Sequence, residues 1–136
     1  MYFGLDNNRF KYVNFLNLFD VISSKKANVL PVSDGKYEII SASKYNNGII
    51  NYTDDETNKL INGNCYTTGS VGAGSGYLFY HNEPFYSNGN LLIIRPKINL
   101  NKINDLLISV QLIAFVNNRY MSISSSLKNI KIWIYE

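Results

Sequence analysis

The sequence predicts an α+β fold, in which one sheet-dominated domain spans residues 1–136 and carries one main amphipathic helix near its C-terminus. Three observations predict this class. A length of 136 residues provides one core but not two. Short runs of β-branched and aromatic residues alternate with Gly, Asn and Asp along most of the chain, which is typical of strands and turns. A single long segment, residues 98–120, has apolar residues at helical spacing.

The first half of the chain is predicted to form strands separated by tight turns. Arg9–Phe15 can form a strand, and residues 14–26 mix helical and strand spacing, which predicts one helical turn followed by a strand. Tyr37–Ser43 and Gly48–Tyr52 have the composition of strands, and the Asn-Asn-Gly run between them marks a tight turn.

The central segment, Asn62–Lys97, organises the rest of the chain. It holds six of the nine glycines and the only cysteine and histidine. Glycine permits tight reversals and close approach of backbone to a partner. The segment therefore predicts a strand, a Gly-rich turn, a second strand, an aromatic-lined turn and a third strand.

The C-terminal part is predicted to contain the helix and a closing strand. Asn129–Tyr135 alternates isoleucine with Lys, Trp and Tyr, which is the period of a half-covered strand. The helix is expected to pack against the sheet through an apolar stripe at i, i+3, i+4 and i+7 spacing. The stripe consists of Ile103, Leu106, Leu107, Val110, Ile113 and Ala114, and Leu112 and Phe115 broaden it.

Composition and charge exclude several classes of protein. One cysteine excludes an internal disulfide and a Cys-rich zinc site. No apolar run approaches the roughly 18 residues of a membrane-spanning helix. The N-terminus lacks a basic start followed by a long apolar region, so we expect no signal peptide. The net charge of +3 permits binding to a polyanion without requiring it.

The residues provide little support for catalysis. Cys65 and His81 lie on neighbouring predicted strands and could face each other as a dyad, but a buried cysteine and a turn histidine are the expected interpretation. The run GSVGAGSG lacks the lysine and the following helix of a phosphate-binding loop. We therefore predict no catalytic residue, no metal, no cofactor and no enzymatic activity.

A recognition surface fits the sequence better than an active site does. Predicted turns carry Ser, Thr, Asn, Tyr, Lys and Arg, which bond to base edges and phosphates. The alternative for each residue is a solvated turn whose side chain satisfies its own backbone. The candidate DNA-binding residues are Lys25, Lys26, Ser43, Lys44, Tyr45, Asn46, Asn47, Thr67, Thr68, Ser70, Arg119 and Tyr120.

An ordered series of motifs also resembles a known family. YEIISASKYNNGIINY, then NCYTTGSVGAGSGYLFYHNEPFYSNGNLLIIRPK, then a helix and a closing NIKIWI resemble the target-recognition domain of type I restriction–modification specificity subunits and of related type IIG and IIB enzymes. The opening KYVNFLNLFDVISSKK resembles the start of that domain. The resemblance implies sequence-specific binding of double-stranded DNA through loops, without catalysis. By position, Lys25-Lys26, the turn Ser43–Asn47 and the hairpin Thr67–Gly72 would face DNA.

The resemblance also implies partners and leaves an alternative open. Full specificity subunits carry two such domains and bind methyltransferase subunits, so the implied partners are methyltransferase subunits or a second recognition domain. The alternative is a structural or protein-interaction subunit of a larger assembly, which includes viral ones. We expect an intracellular (cytoplasmic) location, or the virion if the gene is viral. Clustering of Lys25, Lys26, Lys44 and Arg119 beside the Gly-rich hairpin would favour DNA, whereas scattered cations and an exposed aromatic patch would favour a protein partner.

Overall fold

A computed structural model describes residues 6–69, 77–116, 127 and 129–136. Its strands are β1 (Phe10–Asn14), β2 (Phe19–Ser23), β3 (Tyr37–Ile40), β4 (Ile49–Thr53), β5 (Cys65–Gly69), β6 (Leu78–His81), β7 (Phe85–Ser87), β8 (Leu91–Pro96) and β9 (Lys131–Tyr135). The helix α1 spans Lys102–Val116, and short 3-10 turns occur at Asn7–Arg9, Phe15–Asn17 and Asn46–Gly48. The predicted α+β class, with one main helix near the C-terminus, is confirmed.

The strands form three sheets. A four-stranded antiparallel sheet has the order β2-β8-β5-β6, a three-stranded sheet has the order β4-β3-β7, and β1 pairs with β9. In the three-stranded sheet β3 is antiparallel to β4 and parallel to β7. The predicted helical turn before β2 is confirmed at Phe15–Asn17.

The four-stranded sheet is the middle layer of the molecule. Leu92 and Ile94 of β8 pack in one cluster with Ile108 and Leu112 of α1, whereas Ile93, the residue between them, packs in a second cluster with residues of the three-stranded sheet. A central strand that is covered on both faces is apolar at every position. The run LLII of β8 is buried throughout for this reason.

The central segment contains one strand more than predicted. The segment predicted as an aromatic-lined turn includes β7. This strand belongs to the three-stranded sheet and pairs in parallel with β3. Phe85 and Tyr86 point to opposite sides of this strand, and each is fully buried in a different cluster. Burial of these two large aromatic side chains stabilises the pairing of β7 with β3. The prediction of a turn for this segment did not include that strand.

The prediction that the helix packs against the sheet through its apolar stripe is wrong. Four of its residues are 42% to 69% exposed: Ile103, Leu106, Val110 and Ile113. The buried face runs through Asn104, Ile108 and Leu112, of which the sequence predicts only Leu112. Leu107 is half-buried, and the side chain of Ala114 lies outside the described part of the helix.

Side-chain amides explain this rotation of the helix. Asn104 donates to the Tyr135 carbonyl at 2.7 Å and accepts from its N–H at 2.5 Å. Gln111 makes the same pair of bonds to Trp133, each at 2.8 Å. These amides satisfy the edge of β9 that does not face β1, as a neighbouring strand would. The helix must turn its polar i and i+7 positions toward β9, so the apolar residues on the other side remain exposed.

Candidate nucleic-acid interface

The turn Ser43–Asn47 is a preformed exposed loop between β3 and β4. Asn46 and Asn47 have φ angles of +50° and +56°, which asparagine tolerates better than most residues. The Tyr45 N–H donates to Ser43 Oγ at 3.1 Å, and the Ser41 N–H donates to the Gly48 carbonyl at 2.8 Å. These bonds hold the loop in one conformation.

The tip of this turn presents side chains to solvent. Tyr45 is 70% exposed, and the Lys44 ammonium lies 5.3 Å from the centre of its ring. Asn46 is exposed as well, whereas Ser43 is half-buried. The turn therefore presents one cation, two side-chain amides and one aromatic ring to solvent.

A buried histidine ties the turn to the four-stranded sheet. Asn47 Nδ2 lies 3.4 Å from the Tyr80 carbonyl and 3.5 Å from His81 Nδ1. His81 Nε2 lies 2.8 Å from Thr67 Oγ1. Burial lowers the pKa of His81 to about 4, so the ring is neutral near pH 7. A hydrogen-bonded chain thus runs from β5 through β6 to the turn.

Thr67 and Thr68 do not lie on the surface. Each is 1% exposed, because β5 is an inner strand between β8 and β6 and both of its faces are covered. Thr67 bonds His81, and Thr68 Oγ1 has no hydrogen-bond partner within the described residues. The expectation that the hairpin presents these hydroxyls to DNA does not fit their burial. Ser70 lies outside the described residues.

Lys25 and Lys26 form an exposed segment directly after β2. Ser24 and Ala27 anchor it on both sides: the Ser24 N–H donates to the Leu91 carbonyl and the Ala27 N–H to the Ser87 carbonyl, both at 2.9 Å. Both lysines are exposed, and neither forms an ion pair with a described residue. Lys26 lines a shallow cavity of about 520 Å³ on the side of the three-stranded sheet.

The lysine segment and the turn lie at diagonally opposite corners of the four-stranded sheet. Lys25 follows β2, whereas Asn47 contacts the end of β6, and these are the two outer strands. Strand spacing and rise separate the two corners by roughly 20 Å. Lys44 therefore does not cluster with Lys25 and Lys26. Arg119 and Tyr120 lie outside the described residues, so their part of the prediction stays a prediction.

Sequence reasoning missed two cations beside Lys25. A cleft of about 280 Å³ runs along β2 and β8, and we call it the β2-edge cleft. Its lining consists of Ile22, Ser24, Lys25, Lys59, Ile61, Ile93 and Arg95. Arg95 donates from Nη1 to the Gly63 carbonyl at 2.6 Å and from Nη2 to the Asn62 carbonyl at 2.7 Å. Lys59 and Arg95 are distant from Lys25 in sequence, so only the tertiary fold brings the three together.

The geometry does not support a Cys–His dyad. Cys65 and His81 are register partners on β5 and β6. However, the thiol lies 3.7 Å from the Asn62 carbonyl, and both ring nitrogens of His81 have other partners. Burial raises the pKa of the Cys65 thiol and lowers that of His81, so both groups stay neutral. A nucleophilic dyad needs the reverse, a thiolate beside an imidazolium.

The described residues contain neither a cluster of metal ligands nor a helix that could span a membrane. No three His, Cys, Asp or Glu side chains there converge as a metal site. In the same part of the chain, no helix has the length and apolar character needed to cross a membrane.

Solved structures share the fold of this chain. The type I restriction-modification S subunit from M. genitalium aligns at a TM-score of 0.63 and 18% identity, covering 96% of this chain and 36% of that one. The HsdS subunit from Thermoanaerobacter tengcongensis aligns at a TM-score of 0.65 and 13% identity, over 99% and 35%. A structure on complex assembly and conformational transition of the type I R-M system gives a TM-score of 0.68 and 14% identity, over 99% and 36%.

The sequence comparisons give the family. The search of curated proteins found no match. The chain spans about 36% of the length of the solved structures that it matches. Residues 10–134 match the family described as the type I restriction modification DNA specificity domain, which confirms the resemblance seen in the motifs. The match covers most of the chain, and this protein therefore belongs to the type I restriction modification DNA specificity domain family.

Proposed function

We propose that this chain is a non-catalytic DNA-recognition domain that reads double-stranded DNA for a restriction–modification system. The observation that carries the proposal is the family match over residues 10–134. The separation of the described lysines does not by itself favour DNA. The preformed turn Ser43–Asn47 supports the proposal, because a loop that is already ordered loses little conformational entropy when it binds.

The turn has the side chains that read base edges in a major groove. The Asn46 amide can bond bidentately to adenine, and the Lys44 ammonium can donate to guanine O6 and N7. The exposed Tyr45 ring can pack against a thymine methyl group or a sugar. Phosphate contacts from Lys25 and Lys26 would fix the position of the domain without reading sequence.

Catalysis is assigned to partners. Cys65 and His81 are buried and neutral, and neither has the environment of an activated nucleophile or a general base. We propose that methyltransferase subunits supply the chemistry and that a second recognition domain would be needed to read a bipartite target. The intracellular location follows from this role. The larger structural or viral assembly, with its virion location, stays a prediction without an observation that favours it.

Binding to a randomised duplex pool at two salt concentrations tests the proposal. We expect an enriched motif and an affinity that falls as salt rises. Lys44→Ala and Asn46→Ala should alter the enriched motif, because they remove base contacts. Lys36→Ala is the matched control, since this exposed lysine pairs with Glu56 away from the turn. A pool with neither enrichment nor salt dependence would overturn the proposal.

Protein contact is a second candidate function, favoured by the exposed face of α1. Leu106 is 69% and Val110 57% exposed, on a helix whose opposite face is fully packed. Contiguous exposed apolar side chains are typical of protein contacts. If a methyltransferase subunit covers this face, Leu106→Asp with Val110→Asp should abolish co-purification with that subunit while the circular dichroism spectrum stays native. Unchanged co-purification would exclude this face as the contact.

A further inference from the structure

The β2-edge cleft is lined by three cations and three isoleucines. The turn Ser43–Asn47, which we propose to read bases, has no such combination. Lys25, Lys59 and Arg95 approach the cleft from three separate segments of the chain. Ile22, Ile61 and Ile93 line the space between them. We infer that this cleft binds one phosphate of the DNA backbone and packs the adjoining deoxyribose against the isoleucines, an inference that rests on the proposed function.

The lining of the cleft is cationic. No acidic side chain is among its lining residues. Asp20 is the register partner of Arg95 across β2 and β8, but its carboxylate lies 3.8 Å from the ammonium of Lys97. Like-charged groups held together without counter-ions favour an anionic ligand.

Arg95 gives the cleft a fixed donor. Its two bonds to the carbonyls of Asn62 and Gly63 hold the guanidinium in place. A guanidinium has five N–H donors, so three remain after these two bonds. The flexible ammonium groups of Lys25 and Lys59 can then close on the same anion from the rim, where both are exposed.

The apolar floor favours a sugar–phosphate unit over an inorganic ion. Ile22 is 52% exposed and lies beside Ile93, on the face of the four-stranded sheet opposite to α1. A free phosphate ion would gain nothing from this surface, whereas the carbon face of a deoxyribose would bury it. The volume of about 280 Å³ also falls below that of pockets for drug-sized ligands, which suits a single backbone unit.

The place of the cleft suits an anchoring role. It runs along the β2 edge from Arg95, which is two strands and so roughly 10 Å from the end of β6 that the turn contacts, to Lys25, roughly 20 Å from the turn. A major groove is about 12 Å wide, so a duplex that meets the turn with its groove can reach the cleft with a flanking phosphate. Backbone contacts of this kind set the register of a domain on DNA without selecting sequence.

Salt titrations of lysine variants test the inference. We expect the double variant Lys25→Ala with Lys59→Ala to reduce the slope of log affinity against log salt by up to about 0.9, the contribution of one phosphate, and each single variant to reduce it by less. The enriched motif should stay that of the unmodified protein. Lys131→Ala is the matched control, because this exposed lysine lies on β9 in the two-stranded sheet and should leave the slope unchanged.

The outcomes separate this inference from the proposed function. If the unmodified protein enriches a motif but the double variant Lys25→Ala with Lys59→Ala leaves the slope unchanged, the phosphate site is refuted and DNA reading stands. If Lys59→Ala changes the enriched motif, the residue contacts bases and the anchoring role is also refuted. If the unmodified protein enriches nothing at either salt concentration, both proposals fail.

Discussion

At the scale of single residues, His81 has the most unusual environment among the described titratable groups. It is 3% exposed, and its ring centre lies 4.9 Å from that of Phe85. Its two nitrogens lie near Thr67 and Asn47, so it joins the inner strand β5 to the exposed turn. The role of His81 is structural. Its ring is neutral and buried, and its two nitrogens hold Thr67 and Asn47 in place.

His81 should make folding stability depend on pH. Burial lowers its folded pKa from 6.5 to about 4, whereas the unfolded chain keeps the ordinary value. Between these values the unfolded state binds more protons, so stability rises with pH in that window. We expect a loss of about 2 to 3 kcal/mol in the free energy of unfolding from pH 7 to pH 4 from this group. Urea unfolding at several pH values measures it.

His81→Gln provides the control for this pH dependence. Glutamine can still bond Thr67 but does not titrate, so the variant should show a flatter stability profile between pH 6.5 and pH 4. A variant profile as steep as that of the unmodified protein would show that other groups cause the dependence.

At the scale of elements, the amides of α1 are the feature that decides how the helix lies. Asn104 and Gln111 are seven residues apart and bond alternate residues of β9, Tyr135 and Trp133. These side-chain bonds replace those that a further strand would make to the outer edge of β9. Without them the backbone groups of that edge would be unpaired. The helix and the closing strand therefore stabilise each other.

Removing the Asn104 amide should destabilise the protein strongly. Asn104→Leu keeps the volume but leaves the buried N–H and carbonyl of Tyr135 without partners, which costs about 2 to 4 kcal/mol. Gln111→Leu should cost about 1 kcal/mol, because the backbone of the half-exposed Trp133 can bond water. Urea unfolding at pH 7 provides both values.

The exposed apolar residues of α1 supply the comparison. Leu106→Ala should change the unfolding free energy by no more than about 0.5 kcal/mol, since Leu106 is 69% exposed. If Leu106→Ala lowered the free energy of unfolding strongly and Asn104→Leu lowered it little, the helix would instead pack through the apolar stripe predicted from the sequence.

At the scale of the whole molecule, one core connects the two-stranded sheet to the middle layer. Ile132 and Ile134 of β9 belong to the same cluster as Leu92 and Ile94 of β8 and as Ile108 of α1. Because these elements share buried contacts, they should not unfold separately. The boundary of a single domain over residues 1–136 stays a prediction, and unfolding can test it.

Unfolding should be a single cooperative transition. Trp133 is the only tryptophan, and its ring centre lies 4.8 Å from that of Tyr12 in the two-stranded sheet. Its fluorescence therefore reports on β1 and β9, while far-ultraviolet circular dichroism reports on all elements. We expect the same urea midpoint from both signals. A fluorescence transition at lower urea would show that the two-stranded sheet opens on its own.

Part of the candidate site could be predicted and part could not. The turn at Asn46-Asn47-Gly48 was predicted, because residues that tolerate positive φ are a local signal. The burial of Thr67 was not, because exposure depends on which strands flank β5. Lys59 and Arg95 could not be grouped with Lys25 either, since no spacing along the chain relates them.

The fold class, the positions of most strands, the helix and the family can be predicted from the amino-acid sequence. These depend on local periodicity, turn chemistry and the order of motifs, which are all properties of neighbouring residues. Three features were visible only in the three-dimensional structure: the buried face of α1, the pairing of β7 with β3 and the cations that share the β2-edge cleft. Those outcomes depend on hydrogen bonds and packing between distant segments, such as the Asn104 amide against β9, and no local pattern encodes them.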